Sequence, residues 1–313
     1  MKDLKTIDII IPVYNDEKNI LDAIESAINQ INVKVNVIVI NDGSNDNTDI
    51  VVKESIFYNQ IIYIKKDNGG VASARNIGLK NCKSEYCCFL DSDDILEKNF
   101  AFTLISELEK NNANFAFSDY VFIEEDDVNK EIVLKRQEII KNPTIKDLLS
   151  HNLFMTPTVI FKRKIAYNIL FNEELKYNED WLFWIDIFNN VDKVVFCDNK
   201  LVKIRTRKGG LTSKKEIHAT NYLKVIRIIE EKYYNRYKKT LKCAYIKYSN
   251  NLRAFKLYRE SIIYLFKSFP STNFFLISPI YLIKLILTIT NIDKLIKKLI
   301  IKEKDRNAIF LLF

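Results

Sequence analysis

The chain has 313 residues, 48% of them hydrophobic and 28% charged, with a formal net charge of +8. At roughly 150 residues per domain this length holds one large domain or two modest ones, and the composition excludes a staple-dependent mini-protein, a disordered chain and a polytopic membrane protein. Charge is divided along the chain: residues 1–200 hold 23 Lys and Arg against 33 Asp and Glu, and residues 201–313 hold 25 against 7, a basic rear suited to a polyanion such as a membrane surface or nucleic acid.

In chain order, apolar runs at 7–13, 35–40, 61–64 and 86–90 alternate with helical patterns at 17–29, 47–55, 71–80 and 97–111. In the first of these, Ile20, Ala23, Ile24, Ala27 and Ile28 recur at helical spacing, and Asn15 or Asp16 is placed to cap it. The alternation predicts an α/β fold with a parallel sheet. Further strands are expected at 114–123, 156–161, 194–197 and 201–205, with a charged surface excursion at 124–142. From 214 to 269 the pattern turns helical and rich in Lys and Tyr, so composition alone sets a boundary near residue 213. The sixteen residues 274–289 are broken by Pro279 and Lys284 and followed by the lysine-rich 294–304. A spanning helix needs about 20 apolar residues, so this tail reads as interfacial.

Cys82, Cys87, Cys88, Cys197 and Cys243 are odd in number, form no CxxC pair and follow nothing like a secretory leader, which reads as reduced thiols in cytosol. His151 and His218 stand 67 positions apart, which argues against a histidine zinc site or a histidine-centred triad. Any metal is expected to be hard and oxygen-bound. Only six glycines occur, against roughly twenty at ordinary usage, and Gly43, Gly69, Gly70 and Gly78 fall close together. In a parallel sheet the carboxyl ends of the strands share one edge, so residues 12–15, 41–44, 67–70 and 91–94 are expected to converge on one cleft.

Asp91 and Asp93 stand two apart at the end of an apolar run, placing two hard oxygens on one side for Mg²⁺ or Mn²⁺. Alone, the same residues also read as a turn capping the next helix. Asp42 can accept an N–H from a base edge or simply hold a turn. Gly69 and Gly70 open a helix whose free N–H groups favour an anion, and Arg75 one turn on is either a charge near a nucleotide or a surface ion pair. Asn178 is placed to cap a helix with Glu179 and Asp180 in its first turn, where the dipole favours an ionised carboxylate ready to take a proton. Trp181 and Trp184 beside them serve either as a sugar platform or as core.

Taken together, IPVYNDEKNI (11–20), VINDGSNDNT (39–48), NGGVASARNIGL (68–79), FLDSDD (89–94) and NEDWLFWIDI (178–187) resemble the successive signatures of the family 2 glycosyltransferases. The resemblance covers about residues 6–213 and implies a GT-A fold, a Rossmann-like, mostly parallel sheet flanked by helices, with a nucleotide-sugar half near 1–95 and an acceptor and catalytic half near 96–213. By resemblance Asp93 ligates the metal, with Asp91 holding ribose or a metal-bound water. Asp42 pairs with uracil, and Pro12, Tyr14 and Asn15 wall the same pocket. Gly70 and Arg75 lie near the nucleotide. Asp180 is the general base of an inverting displacement, with Glu179 orienting it. Arg205, Arg207, Lys208, Gly209, Gly210 and Thr212 resemble the loop that closes over the diphosphate. The chain departs from the pattern at Asn41, where relatives often carry an acid, and in lacking a histidine in that loop, which implies either that metal retention depends on the diphosphate or that Arg207 replaces part of the metal's charge.

The function so implied is transfer of a sugar from a nucleotide-diphosphate donor, UDP-linked, to a glycan or lipid-linked glycan hydroxyl in cell-surface glycan synthesis. A nucleotidyltransferase is opposed by the absence of a glycine-rich basic loop after the first strand, where PVYNDEKN stands. A nucleic-acid binder accounts for the basic rear and its tyrosines but not for the apolar, lysine-flanked tail, which fits anionic lipid. The expected partners are therefore the donor, the acceptor and an anionic membrane surface, with no nucleic acid and with peripheral attachment at the cytoplasmic face of the inner membrane.

Overall fold

The computed structural model describes residues 4–133, 139–206 and 215–268. Two units are distinguished, Met1–Val225 and Ile226–Phe313. The first begins with β1 (Thr6–Val13), α1 (Ile20–Ile28), β2 (Lys34–Asn41), α2 (Thr48–Glu54), β3 (Ile61–Lys65), α3 (Val71–Asn81) and β4 (Tyr86–Phe89), the alternation that the sequence predicts. β5 (Ile95–Leu96), α4 (Phe100–Lys110), β6 (Phe115–Ile123), β7 (Glu131–Ile132), α5 (Ile145–Leu148), β8 (Val159–Lys162), α6 (Glu179–Ile187) and β9 (Val194–Arg205) follow.

The strands form one sheet in the order β3-β2-β1-β4-β8-β6-β9-β5, with β7 beside β6. β1 pairs in parallel with β2 and β4, and β2 with β3. Parallel pairing makes these four strands end on the same edge. β1 is a run of apolar residues buried on both faces, as a strand covered by helices must be. α1 buries Ile20, Ala23, Ile24 and Ala27, the predicted stripe, each side chain contributing up to about 1.5–3 kcal/mol of burial for the larger ones.

Three local expectations are corrected. Neither Asn15 nor Asp16 caps α1: Asn15 sits at φ +51 and the helix begins at Ile20 after Asn19. The strand expected at 156–161 opens as a 3-10 turn, Thr156–Thr158, because Pro157 lacks the N–H a ladder needs. The two strands expected at 194–197 and 201–205 are one, β9, which stays parallel to β6 by bulging: Cys197 pairs with Ser118 and Lys200 with Asp119, so Asp198 and Asn199 stand out of register.

α3 is set tightly on the sheet. A Cβ at Gly78 would clash with Ile10 Cγ2, so the glycine is needed for close approach. Gly78→Ala, which in an exposed helix would stabilise by about 1 kcal/mol, is expected to destabilise by about 1–3 kcal/mol through overpacking, measured by urea unfolding. An unchanged midpoint would contradict this packing.

α7 (Lys215–Ala254) departs from helical geometry at Tyr237, and α8 (Tyr258–Lys267) follows it. Within the second unit, Glu230 accepts hydrogen bonds from Tyr245 Oη at 3.0 Å and Lys267 Nζ at 2.7 Å. Tyr245 and Tyr248 are fully buried, so they pack the unit and offer no ring face to a nucleic acid. The interfacial tail expected at 274–304 lies outside the described residues.

Candidate active site

The turns after β1, β2 and β4 meet at the shared carboxyl edge, as expected. Pro12 is buried and pairs with Ile40, whereas Tyr14, one residue past the strand, is exposed. Asn15 bridges two turns: its N–H donates to Ser44 Oγ at 3.0 Å and its Oδ1 accepts from Asn45 N at 2.7 Å. Asn41 is buried. Its Oδ1 accepts from Ser44 N, and its Nδ2 donates to Tyr63 Oη, which donates to Asp49. It therefore braces the turn, which explains why no acid is required there.

Asp42 is 2% exposed. Its Oδ1 accepts from Lys66 Nζ at 2.6 Å and Gly69 N at 3.0 Å, and its Oδ2 from Gly70 N at 2.7 Å. The anion expected at the start of α3 is thus the chain's own carboxylate. Gly70, at φ +89, turns its N–H to Asp42, which corrects the expectation of a vacant anion cradle there. Oδ2 still has lone-pair capacity for a ligand N–H.

Arg75 is neither a surface ion pair nor an open charge. It is 4% exposed, with Nη1 donating to Glu179 Oε1 at 2.7 Å and Nη2 to Asp91 Oδ1 at 2.9 Å. Its guanidinium lies 5.4 Å from the centre of the Phe171 ring, a contact suited to a partly desolvated cation. One side chain from α3 therefore joins the turn after β4 to the first turn of α6.

Arg205 is likewise committed. Its Nε donates to Asp93 O at 2.9 Å, Nη1 to Glu125 O at 2.7 Å and Nη2 to Asp22 Oδ2 at 3.0 Å, while its N–H donates to Asp94 Oδ1. With one bond from each of its three nitrogens and a side chain only 3% exposed, it clamps the 91–94 turn. Arg207, Lys208, Gly209, Gly210 and Thr212 lie outside the described residues. Ser92 Oγ donates to the buried Asp16, so the same turn is also held from the β1 side.

Asp91 and Asp93 remain half-buried at the edge, oxygen donors only. Among the described residues, the cluster of three metal-ligating side chains is elsewhere, at Asp8, Cys82 and Cys87. All three are buried, and Asp8 accepts from Asn36 Nδ2, Lys83 N, Ser84 N and Ser84 Oγ, a knot that is structural. Two carboxylates without a third protein ligand suit Mg²⁺ or Mn²⁺, which take their remaining positions from phosphate and water.

Glu179 and Asp180 occupy the first turn of α6 as predicted, but Asn178 enters it at φ +59 and makes no side-chain cap. Asp180 Oδ2 accepts from Asn152 Nδ2 at 2.8 Å and Thr156 Oγ1 at 3.3 Å, and Oδ1 from Trp181 N at 2.8 Å. The helix dipole does not decide the charge state. Burial, then the like charge of Asp180, pushes the Glu179 carboxyl up to about 7 against the pull of Arg75. Burial also raises Asp180, opposed by Arg75, the Trp181 N–H and Asn152. Both carboxyls are thus raised, Glu179 to about 7, a perturbation of the kind found where protons are transferred. Both tryptophans are core: Trp181 Nε1 donates to Leu148 O at 2.6 Å, and Trp184 packs edge-on to Phe89 and Phe115.

Lys66, Asn152 and Thr156 are not among the residues expected from sequence. Lys66 had a legible signal, a cation between a strand and a glycine turn. Asn152 and Thr156 had none, lying in a stretch without periodicity. Because the Asn152 amide favours the anion of Asp180, Asn152→Ala is expected to shift the rising limb of the pH–rate profile to higher pH. Turnover at neutral pH should drop about ten-fold, the value of one lost hydrogen bond to a charged group. A limb that stays in place would mean that Asp180 is not the group titrating.

Residues 8–169 match the Glycosyl transferase family 2 profile. An uncharacterized glycosyltransferase of Rickettsia typhi is 33% identical over 216 residues, covering 66% of each chain. The minor teichoic acid biosynthesis protein GgaB of Bacillus subtilis is 33% identical over 183 residues, 55% of this chain and 20% of GgaB. The chain thus spans about two thirds of the first relative and a fifth of the second. Staphylococcus aureus TarS 1–349 in complex with UDP-GlcNAc aligns with a TM-score of 0.58 at 18% identity, over 84% of this chain and 87% of that one. At that identity the likeness is one of fold.

Proposed function

The chain belongs to glycosyl transferase family 2, and from that membership we propose that it moves a sugar from a UDP-linked donor to an acceptor hydroxyl with inversion at the anomeric carbon. The observation that supports this reading is the Arg75 bridge, which holds Asp91 and Glu179 at 2.9 and 2.7 Å and so ties the Asp91 turn, which we assign to the donor, to the raised carboxyl pair. The acceptor O–H gives its proton to Asp180 as its oxygen bonds to the anomeric carbon. The bond from that carbon to the diphosphate breaks, and its electron pair leaves with the nucleoside diphosphate. Glu179 and Arg75 position the base. Asp42 and the Pro12–Tyr14–Asn15 turn receive the nucleoside, a uridine reading supported by the bound donor in the TarS complex.

Asp93, with the Asp91 oxygen that Arg75 does not hold, would bind Mg²⁺ or Mn²⁺, which offsets negative charge on the departing diphosphate. The teichoic acid relative supports a place in cell-surface glycan assembly. We assign acceptor choice to about residues 96–213 and membrane contact at the cytoplasmic face to the basic region after 213. Among the described residues no helix is long and apolar enough to cross a membrane.

The test is nucleoside diphosphate release from UDP-, GDP-, CMP- and dTDP-sugars with Mn²⁺ or Mg²⁺. Release of UDP from one donor, lost on chelation and in Asp93→Ala, is expected. Release of pyrophosphate would mark a nucleotidyltransferase instead, and absence of both turnover and metal-dependent UDP binding would overturn the enzyme reading.

A further inference from the structure

The edge of the sheet opposite the site carries a groove that the proposed reaction leaves unused. β4 begins there and β8 ends there, antiparallel, with Tyr86 opposite Lys162. The groove holds about 730 Å³ and is lined by Lys83, Glu85, Lys162, Arg163, Lys164 and Tyr167. The length of β4, roughly 13 Å at ~3.3 Å per residue, separates it from the Asp91 turn.

Its charge is unbalanced and partly fixed. Lys162, 17% exposed at the side chain, is pinned by Glu109 at 2.9 Å and Glu85 at 3.8 Å. Lys5 also pairs with the same two acids, at 2.9 and 3.7 Å. Arg163 is anchored by its Nε, which donates to Ser84 O at 3.0 Å, while its two Nη groups make no hydrogen bond among the described residues. Lys83 and Lys164 form no ion pair among the described residues. The lining thus carries four cations against one carboxylate, Glu85, which is already paired. A concave wall of one sign concentrates potential, and an anchored guanidinium fork matches a phosphate.

We propose that this groove binds an extended phosphate-bearing chain, with Arg163, Lys83 and Lys164 on successive phosphates and Tyr167, 75% exposed, against the linking groups. A single phosphate would fill a small part of the space, and a flat bilayer surface does not enter a concavity. One exposed ring provides no run of stacking platforms, which sets the site apart from single-stranded nucleic-acid grooves.

The experiment uses the full chain, short-chain inorganic polyphosphate as the probe, and lysine acetylation read by mass spectrometry, so that binding to the basic rear is scored separately. Polyphosphate is expected to protect Lys83, Lys162 and Lys164 but not the exposed Lys98 and Lys146. In Lys83→Glu/Lys164→Glu, protection of Lys162 should need about ten-fold more probe, the effect of losing two phosphate contacts. Lys98→Glu/Lys146→Glu should leave it unchanged, and donor hydrolysis should be unaffected in both variants. Uniform protection of all exposed lysines, or none in the groove, would overturn the proposal. So would stronger groove protection by an oligonucleotide at equal phosphate concentration, or protection only by phosphatidylglycerol vesicles.

Discussion

Asp180→Asn is expected to lower sugar transfer by about 10²–10⁴-fold, the usual share of a positioned general base, while leaving donor affinity by calorimetry unchanged. The asymmetry follows from geometry. Asp180 accepts from Asn152 and Thr156 on one oxygen and from the Trp181 N–H on the other; an amide keeps one of these oxygens and loses the other, so urea unfolding checks that the variant is folded before its turnover is compared. Donor contacts are assigned to other elements, at Asp42, Asp91 and Asp93. Equal loss of turnover and donor affinity in a folded variant would mean that the base lies elsewhere.

Arg75→Met is expected to have the largest effect on stability, about 3–5 kcal/mol, the usual consequence of leaving a buried charge without its partner. Both Glu179 and Asp91 lose their cation. The sign with pH can be worked out. Burial and Asp180 raise the Glu179 carboxyl to about 7 even with Arg75 pulling it down. Without Arg75 that carboxyl rises further, and a carboxyl raised by folding contributes stability that is lost as pH increases through its folded pKa. The deficit of Arg75→Met should therefore shrink toward acid and grow toward alkali. Arg75→Met/Glu179→Gln should recover part of it, the coupling read from a double-mutant cycle of urea midpoints. A pH-independent deficit with no recovery would show that Arg75 acts by packing on Phe171 alone.

The fold and the site were not equally legible. Apolar runs and helical spacing identify β1 to β4 and α1 to α4 because the local pattern alone carries them, most clearly in β1 and α1 with their buried apolar residues, and the polar turns at the strands' carboxyl ends follow from parallel pairing. Arg75 could not be read this way. An arginine in a helix of mixed polarity looks solvent-facing until Glu179, 104 positions away, is brought to it. The same holds for Asp180, whose position predicts a dipole-favoured anion but whose burial in the folded chain raises its pKa against the pull of Arg75 and Asn152. Arg205 was read from its neighbours in a glycine-bearing loop, whereas its contacts with Asp22, Asp93 and Glu125 depend on tertiary placement. Local chemistry specified which residues reach the edge. Partnership and charge state were set by contacts across the sheet.

A single displacement assisted by Asp180 inverts the anomeric carbon, and the anomeric configuration of the first-formed product tests this most directly. With the donor identified, proton NMR during hydrolysis should show the released sugar appearing first in the configuration opposite to the donor's, before mutarotation mixes the two. First appearance of the donor's own configuration would contradict the account, because retention requires either a second displacement or attack from the leaving-group face, neither of which gives Asp180 this role.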